Sequence, residues 1–387
     1  ICAMPLPKRA GMPASPERGA LLLVSISARA LASSAARQGL PAVALDVFND
    51  LDTRAYAVAS RAVAGRDGRL DAKRLLAAAS ALCPPANCMG LVYGSGFEGR
   101  TRLLARLASG RTLYGNTPAT VASVKDPGRF FPLLDRLAIA HPEVRFELPA
   151  NSAGWLLKRI GAAGGSHVRR ARPRQRAGAH RYFQRFQPGR TLSALFAADG
   201  RQARIIGYHE QWTADVPQCA PFCYGGAVSQ PPLGEKIARV MSDQIERLVR
   251  ATALIGLNGA DFIIDGNAPL LLEVNPRPTA TIDLYDADVD GGMLGVHLRA
   301  CRGELPPEPT RRAARAHAIV YAADALRVPA NRSWPDWCTD LPAGGSFIQA
   351  GAPVCSVHAR ANTSADAFAL AQSRRREIEM SLWKEAA

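Results

Sequence analysis

The spacing of apolar and polar residues in the first third of the chain predicts alternating strands and helices. A short apolar run at 21–26 is followed by a small-residue helix at 28–37 and a second apolar strand at 42–47. This order of strand, helix and strand is typical of a parallel sheet. The pattern continues with a helix at 71–82, a strand at 89–93 and a helix at 101–109. We therefore expect residues 20–117 to form one open α/β domain.

The rest of the chain predicts antiparallel strands interrupted by helices. Residues 118–137 are helical at both ends, and strands are expected at 154–160, 182–186, 192–197 and 203–208. A long helix is predicted at 233–257, directly before two apolar strands. From residue 312 onward, short strands with tight turns precede an amphipathic helix at 364–382. We expect this last part to be a separate piece that packs as a small β-rich cap.

Length and composition indicate a globular protein of several subdomains. The 387 residues exceed what one hydrophobic core supports, so roughly two to four subdomains are expected. With 48% apolar residues and no uncharged apolar run of about 18, no membrane span is predicted. Residues 1–19 lack a signal-peptide core and are expected to be a disordered lead. Scattered cysteines indicate reduced thiols and a cytoplasmic protein, with a reactive Cys219 or Cys223 as the open alternative.

The formal charge of +15, which comes mostly from arginine, predicts attraction to anions. The densest basic run, at 167–185, contains aromatic residues and could bind RNA. It could equally be a mobile loop that faces phosphate, and the absence of a recognisable nucleic-acid module favours the loop. A coding bias toward arginine would also produce this charge. We therefore expect no nucleic-acid partner.

The most informative segment is NGADFIIDGNAPLLLEVNPRP, at residues 258–278. Residues two apart in a strand point to the same face, so Glu273 and Asn275 project together, and strand pairing can bring Asp261 opposite them. Oxygen ligands of this kind suit Mg²⁺, which shares its remaining positions with water and phosphate. Arg277 is then placed for phosphate oxygens. A solvated edge hairpin is the alternative, but carboxylates in a core-like run are costly to bury unless they are paired or metal-bound.

A second phosphate signal follows the strand predicted at 154–160. The turn GAAGGSH, residues 161–167, would let backbone N–H groups approach phosphate oxygens without side-chain clash. A flexible hairpin tip is the alternative. Lys158, which projects from the preceding strand, favours the phosphate interpretation.

In this order, VKDPGRF, the glycine turn, FQRFQPG and LLLEVNPRP resemble the ATP-grasp superfamily of carboxylate ligases, over residues 20–305. The resemblance implies two lobes with antiparallel sheets that clamp ATP, with Mg²⁺ at the end away from the adenine. The expected fold class is α/β, with α+β ATP-binding lobes, an open N-terminal α/β domain and the C-terminal cap. The implied divisions are a lead at 1–19, the N-terminal domain at 20–117, the small lobe at 118–190, the large lobe at 191–305, and the cap with its helix at 306–387.

Roles follow from this resemblance residue by residue. Lys125 and Lys158 would contact the ATP phosphates, and Arg277 would stabilise an acyl-phosphate, which makes Lys158 and Arg277 the catalytic candidates. The lid is implied at Gly164, Gly165, Ser166 and His167, the adenine hinge at Gln184, Arg185 and Phe186, and the magnesium ligands at Asp261, Glu273 and Asn275. Gln184 replaces the usual acidic residue, although backbone groups can still read adenine. Near Gly189, Arg190 and Thr191 the glutamate that many members use for ribose is missing.

The segments SARALASSAARQGLPAVALDVFNDLDTR, YGSGFEGR, and CYGGAV with EVNPRPTATIDLYD carry a narrower similarity. They resemble predicted carboligases that accompany methanofuran and methanopterin one-carbon genes, among them tyramine-glutamate ligases. This similarity implies joining of a glutamate carboxylate to an amine such as tyramine or a growing glutamyl chain. The acceptor pocket would draw on Arg29, Glu98, Tyr224, Gly225, Asp283 and Tyr285.

The leading hypothesis is thus an ATP- and Mg²⁺-dependent ligase for small-molecule carboxylate and amine substrates, with a homodimer as a compatible assembly. One alternative keeps the fold but makes a thioester or carboxylated biotin, and the lack of a biotinyl-lysine motif disfavours it. The other alternative is a nucleotide-regulated protein that binds RNA or an acidic partner without ligase turnover.

Overall fold

The computed structural model describes residues 19–386 except 148, 150, 176, 177, 267, 309, 311 and 312, and describes side chains up to residue 382. The lead predicted at 1–19 therefore lies outside the described residues, apart from its last position. None of the helices in the described ranges is long and apolar enough to cross a membrane.

A five-stranded parallel sheet forms the first part of the chain, as the alternating pattern predicts. Its elements are β1 (Ala20–Val24), α1 (Arg29–Arg37), β2 (Ala42–Asp46), α2 (Leu51–Tyr56), β3 (Ala59–Ala62), α3 (Ala72–Leu82), β4 (Cys88–Tyr93), α4 (Thr101–Ala108) and β5 (Leu113–Tyr114). The strands lie in the order β3-β2-β1-β4-β5, and all neighbours are parallel. The central strand β1 is almost wholly apolar because helices cover both faces of such a sheet.

A small antiparallel sheet follows two short helices. The elements are α5 (Pro118–Lys125), α6 (Pro127–Arg136), β6 (Val144–Arg145), β7 (Trp155–Arg159), β8 (Arg169–Arg170) and β9 (Arg181–Arg185). The strand order is β6-β9-β7-β8. Thr117 caps α5 and Asp126 caps α6 through side-chain oxygens, and each helix begins with a proline, which suits a first helical position. Lys125 is thereby fixed at the end of α5.

An eight-stranded antiparallel sheet is the largest element of the fold. Its first part contains β10 (Arg190–Asp199), β11 (Ala203–Thr213), β12 (Tyr224–Ser229), α7 (Glu235–Thr252), β13 (Ile255–Asp265), β14 (Ala268–Asn275) and α8 (Gly292–Ala300). Its second part contains β15 (Ala314–Tyr321), β17 (Cys338–Thr339) and β19 (Pro353–Ala361), with β16 (Leu326–Arg327) and β18 (Phe347–Ile348) as a separate pair and α9 (Ser364–Ala386) at the end. The order is β14-β13-β10-β11-β12-β15-β19-β17.

The C-terminal strands are part of this sheet, so the prediction of a separate cap is wrong in that respect. β15 pairs with β12 in antiparallel register, with Ala227 opposite His317. The apolar alternation that predicts a strand near residue 315 does not reveal its partner, which lies about ninety residues earlier in the chain. Each strand of the sheet is therefore hydrogen-bonded to the next, from the hairpin at one edge to β17 at the other.

The long helix predicted at 233–257 ends earlier, at Thr252. Ala253 adopts a left-handed backbone with φ of 51°, which stops the helix, and Ile255 already pairs with Asp199 of β10. Leu254 and Leu257 are fully buried in two different cores. The sequence pattern does not reveal this helix end, because apolar residues continue across it without a break. Alanine, moreover, is not a usual left-handed residue.

The N-terminal domain is packed firmly onto the large sheet. Leu31 and Ala32 of α1 share one buried cluster with Met293 and Leu294 of α8. Burial of each of the three larger side chains, Leu31, Met293 and Leu294, contributes about 1.5–3 kcal/mol. This contact sets the position of Arg29, at the start of α1, relative to the residues that follow the hairpin.

Candidate active site

The hairpin of β13 and β14 brings the predicted metal ligands together. Asp261 lies directly opposite Glu273, and Gly259 lies opposite Asn275, so the three polar side chains share one face. The Asn275 amide donates a hydrogen bond to Asp261 Oδ2 over 3.0 Å. Two carboxylates and an amide oxygen therefore meet on neighbouring strands, as the alternation and the turn sequence predict.

Asp261 is anchored from the adjoining strands. The Ser193 hydroxyl of β10 donates to Asp261 Oδ1 over 2.6 Å, and the Gln211 amide of β11 donates to the same oxygen over 3.3 Å. Sequence reasoning missed both residues because only the strand order β11-β10-β13 places them beside Asp261. They orient the carboxylate as supporting hydrogen bonds do around metal ligands.

The two carboxylates have opposite pKa shifts. Burial and the nearby charge of Glu273 raise the pKa of Asp261. Burial also acts to raise the pKa of Glu273, but the positive charges of Lys125 and Lys158 outweigh it and lower that pKa. Two acidic groups this close resist joint ionisation unless a cation neutralises them.

Lys125 supplies one cation to this cluster. Its ammonium group donates to Asn275 Oδ1 over 3.1 Å and lies 3.5 Å from Glu273 Oε2. Lys125 comes from the end of α5, 150 residues before Asn275. Lys125 and Asn275, which the superfamily resemblance assigns to one site, are thus in direct contact.

Lys158 and Gln184 form a buried pair on β7 and β9. The Lys158 ammonium donates to Gln184 Oε1 over 3.1 Å, and it lies over the ring of Tyr182. Burial acts to lower the Lys158 pKa, but Tyr182 and Glu273 outweigh it, so the pKa is raised and the lysine stays charged. This buried ammonium is the second positive charge directed toward the hairpin carboxylates.

The glycine turn after β7 lies between two other parts of the chain. A Cβ atom on Gly161 would lie 2.3 Å from Gly99 Cα, and a Cβ on Gly165 would lie 1.7 Å from the Phe222 carbonyl oxygen. The Tyr224 N–H donates to the Gly164 carbonyl over 3.1 Å. Only glycine permits both approaches, so the turn contacts the YGSGFEGR and CYGGAV segments at once.

The rest of the predicted lid adds one histidine to the site. His167 follows the exposed Ser166, and burial lowers the His167 pKa to about 4, so its imidazole is neutral near pH 7. Its Nδ1 atom is buried without a hydrogen-bond partner within the described part of the chain. An imidazole in this state can donate to or accept from a ligand without bringing another charge.

The predicted adenine hinge lies at the end of β9, with its backbone donors arranged differently from expectation. The Arg185 N–H donates to the Glu143 carbonyl and the Phe186 N–H donates to the Gly154 carbonyl, each over 2.8 Å. The next N–H, that of Gln187, makes no hydrogen bond within the described residues. The Gln187 N–H is therefore a further backbone donor beside the predicted hinge of Gln184, Arg185 and Phe186.

An acidic residue does stand near the Gly189–Thr191 segment, where sequence reasoning found none. Glu210 of β11 lies opposite Leu192 of β10 and forms an ion pair with Arg190 over 2.6 Å. It comes from the neighbouring strand and not from the segment itself. Glu210 is thus a candidate for the ribose contact, and the linear sequence does not reveal it.

Arg277 is held by a buried ion pair with the N-terminal domain. Its Nε donates to Glu98 Oε1 over 2.5 Å, and Glu98 Oε2 accepts the Gly96 N–H over 2.8 Å. Burial acts to raise the Glu98 pKa, but Arg277 and Lys125 outweigh it and lower the pKa. Glu98 therefore positions Arg277, and does not line the cavity described next.

A cavity of about 660 Å³ opens beside Arg277, between the N-terminal domain and the C-terminal strands. Of the six predicted acceptor residues, Arg29 and Asp283 line it, and they form an ion pair with each other. The other four, Glu98, Tyr224, Gly225 and Tyr285, lie outside its lining, and Tyr285 instead borders a second cavity of about 80 Å³. Asp50 and Asp340 line the large cavity and were not predicted.

The residues present fit ATP and Mg²⁺. Gln184 Nε2, like His167 Nδ1, is buried without a partner in the described residues, and such groups are costly unless a ligand satisfies them. No group of three His, Cys, Asp or Glu side chains in the described ranges forms a ready-made metal cage. Mg²⁺ does not need one, because it binds through one or two carboxylates together with water and substrate phosphates. Asp261, Glu273 and the Asn275 amide oxygen supply that donor set.

Comparisons with known proteins identify a domain type in the middle of the chain. Residues 129–281 match the model of the ATP-grasp domain. An uncharacterized protein of Methanocaldococcus jannaschii is 26% identical over 130 residues, which cover 34% of this chain and 32% of that protein. The chain thus aligns with about a third of the length of this curated relative.

Solved structures share the fold over most of the chain. Biotin carboxylase of Campylobacter jejuni has a TM-score of 0.69 at 13% identity, with 90% of this chain and 89% of that chain covered. An L-amino acid ligase of Bacillus licheniformis has a TM-score of 0.67 at 13% identity, with 92% and 97% covered. The biotin carboxylase domain of Hydrogenobacter thermophilus 2-oxoglutarate carboxylase, in complex with MgADP and bicarbonate, has a TM-score of 0.69 at 12% identity, with 93% and 90% covered. The chain has the mixed α/β ATP-grasp fold.

Proposed function

We propose that this protein is an ATP- and Mg²⁺-dependent ligase that joins a carboxylate to an amine through an acyl-phosphate. One observation carries the proposal: Lys125 contacts the oxygen cluster of Glu273 and Asn275, and Arg277 lies two residues beyond, at a large cavity. ATP bound at this oxygen cluster would have its terminal phosphate near a substrate bound in the cavity.

In the first half-reaction, a substrate carboxylate oxygen attacks the γ-phosphorus of ATP. The bond from that phosphorus to the β,γ-bridging oxygen breaks, and ADP leaves with the electron pair. Positioning and charge neutralisation are the main requirements of such a transfer. Lys125 and Lys158 neutralise the phosphates, and the Arg277 guanidinium faces the charge that develops on the transferred group. When bound, Mg²⁺ adds further neutralisation of the phosphate oxygens.

In the second half-reaction, the neutral amine attacks the acyl carbon and phosphate leaves. The amine nitrogen gives up one proton to the departing phosphate, and an amide remains. Water would destroy the acyl-phosphate, so the site must be closed during this step. Gly161 and Gly165 support this requirement, because they allow the glycine turn to lie directly against Gly99 and Phe222.

A narrower assignment is that glutamate supplies the carboxylate and an amine such as tyramine or a glutamyl chain accepts it, in one-carbon cofactor biosynthesis of the methanofuran type. Support comes from the YGSGFEGR and CYGGAV segments, which resemble the carboligases of that metabolism and which contact the glycine turn through Gly99 and Tyr224. The L-amino acid ligase among the structures with this fold is compatible with an amino acid substrate.

The test is an incubation of purified protein with ATP, Mg²⁺, glutamate and a panel of amines. We expect amine-dependent release of ADP and phosphate, together with an amide product detected by mass spectrometry. Release of AMP, or ADP release that depends on bicarbonate and not on amine, would contradict the proposal and favour thioester or carboxylation chemistry. Salt-sensitive RNA retention without turnover would favour the binding-protein alternative.

A further inference from the structure

The large cavity beside Arg277 has walls of two kinds. Apolar and aromatic side chains form much of its surface, among them Phe48, Phe347 and Ile348. Phe48 and Phe347 are also exposed to solvent, at 42% and 60%. At the N-terminal side of the cavity, Asp50 contributes a carboxylate.

Among the described residues, the Asp50 side chain has no hydrogen-bond or ion-pair partner. It directly precedes α2, where an aspartate usually accepts a hydrogen bond from the first helical turn. The Asp50 backbone carbonyl accepts the Arg54 N–H over 3.0 Å, but the side chain makes no capping hydrogen bond. Within the described residues no hydrogen bond or ion pair reaches this carboxylate, although the residue is only 7% exposed.

The neighbouring acidic groups, in contrast, are all satisfied. Asp46 accepts the N–H groups of Ala28 and Asn49 over 2.9 and 2.6 Å. Asp52 accepts the N–H groups of Asp340 and Leu341 over 2.8 and 3.0 Å. These four bonds tie α1 and the C-terminal segment around the cavity and leave Asp50 as the unpaired acid of the group.

The arginines that line this cavity already have partners. Arg29 forms ion pairs with Asp283 and with Asp340, the latter over 3.2 Å. Arg54, which lines the same cavity, donates to the Asn49 carbonyl over 2.7 Å. Burial, reinforced by Asp340, raises the Asp50 pKa to about 8 in spite of Arg29. A charged carboxylate in this position is costly unless a further cation accompanies it.

We propose that Asp50 binds the ammonium group of the amine substrate, and that the cavity takes a primary amine carried on an apolar or aromatic body. This inference rests on the proposed ligase function and names the amine class of the same site. The ammonium would pair with the Asp50 carboxylate while Phe48, Ile348 and Phe347 cover the body of the molecule. Transfer of one ammonium proton to that carboxylate then gives the neutral amine that attacks the acyl carbon. Arg277, in the same lining, places the activated carboxylate within the cavity that holds the amine.

Calorimetric binding without ATP tests the inference apart from turnover. The probes are ethylamine, 2-phenylethylamine and tyramine, each compared with the alcohol in which a hydroxyl replaces the amine. We expect the wild type to bind 2-phenylethylamine at least about tenfold more tightly than 2-phenylethanol, and Asp50→Asn to lose that preference. Asp50→Ser serves as a second variant. The control is Asp243→Asn, at an exposed position on α7, which should keep the preference for the amine over the alcohol.

Four results are decisive. If the wild type prefers none of the amines over its alcohol, or if Asp50→Asn keeps the preference, the inference is overturned. In the ligase assay, Asp50→Asn should raise the KM for the amine about tenfold and leave the KM for ATP unchanged. If amines bind through Asp50 and no amine supports ADP release, the proposed function fails while the ammonium site stands.

Discussion

The Arg277 guanidinium and the Glu98 carboxylate meet over 2.5 Å, and both residues are more than nine-tenths buried. The pair joins the end of the β13–β14 hairpin to the N-terminal domain. Glu98→Gln should therefore lower kcat at least about tenfold through loss of Arg277 alignment, with little effect on the KM for ATP. Breaking a buried ion pair should also lower the free energy of unfolding by about 3 kcal/mol. Steady-state kinetics and urea unfolding measure the two effects.

The matched control for Glu98 is Glu308→Gln. Glu308 pairs with Arg204 at the surface, with its side chain 86% exposed, so its loss should change stability by less than about 1 kcal/mol. Equal kinetics for the two variants would show that Arg277 does not depend on Glu98.

Glu273→Gln should abolish most turnover, because it removes one of two facing carboxylates and one contact of Lys125. We expect kcat/KM to fall about hundredfold or more and the Mg²⁺ concentration for half-maximal activity to rise. Asp265→Asn, at the exposed end of the same hairpin, should leave both unchanged. A Mg²⁺ titration of the ADP release rate measures the shift, and an unchanged titration in Glu273→Gln would remove Glu273 from the metal set.

Gly165→Ala and Gly164→Ala form a matched pair in the glycine turn. Both residues have φ of 73°, so alanine costs about 1–2 kcal/mol of local strain at either site. At Gly164 the new Cβ meets no atom within 4 Å, whereas at Gly165 it would lie 1.7 Å from the Phe222 carbonyl oxygen. We expect Gly165→Ala to raise the KM for ATP and lower kcat at least about tenfold, with a much smaller effect of Gly164→Ala. Similar rates for the two would mean that contact with Phe222 is not needed for closure.

Asp50→Asn should stabilise the substrate-free protein, and more so at high pH. The folded-state pKa of Asp50 is about 8, above the ordinary value of 3.8, so stability is lost as the pH rises between these two values. At pH 9 the native state holds an unpaired carboxylate among Asp46, Asp52 and Asp340, with Arg29 as the opposing charge. The gain from Asp50→Asn should exceed that at pH 5 by on the order of 3 kcal/mol. Urea unfolding at both pH values measures it, and an equal gain would contradict the raised pKa.

Local patterns were enough to predict the hairpin and that strand pairing can bring Asp261 opposite Glu273 and Asn275. The register itself was not predicted, because an irregularity between Asp261 and Phe262 shifts the pairing so that Asp261 lies opposite Glu273. Lys125 could not be obtained in this way, because its contact with Asn275 spans 150 residues and only the superfamily resemblance suggested it.

The missed residues share a physical cause. Ser193, Gln211 and Glu210 reach the site because β10 and β11 lie beside β13, and a linear sequence does not reveal strand order. Asp50 reads as an ordinary helix cap until the structure shows its side chain unpaired and Asp340 nearby. Nonlocal packing thus determines which polar side chains belong to the site.

In the proposed mechanism, the eight-stranded sheet from β14 to β17 gives the two half-reactions a common frame. The predicted magnesium site and the C-terminal strands that line the large cavity belong to this one sheet, so the sheet sets the distance between them. In this mechanism, movement is then needed chiefly in the glycine turn at residues 161–167. In such an arrangement, changes to Phe347 or Ile348 at the C-terminal wall can alter which amine is accepted without disturbing how ATP is held.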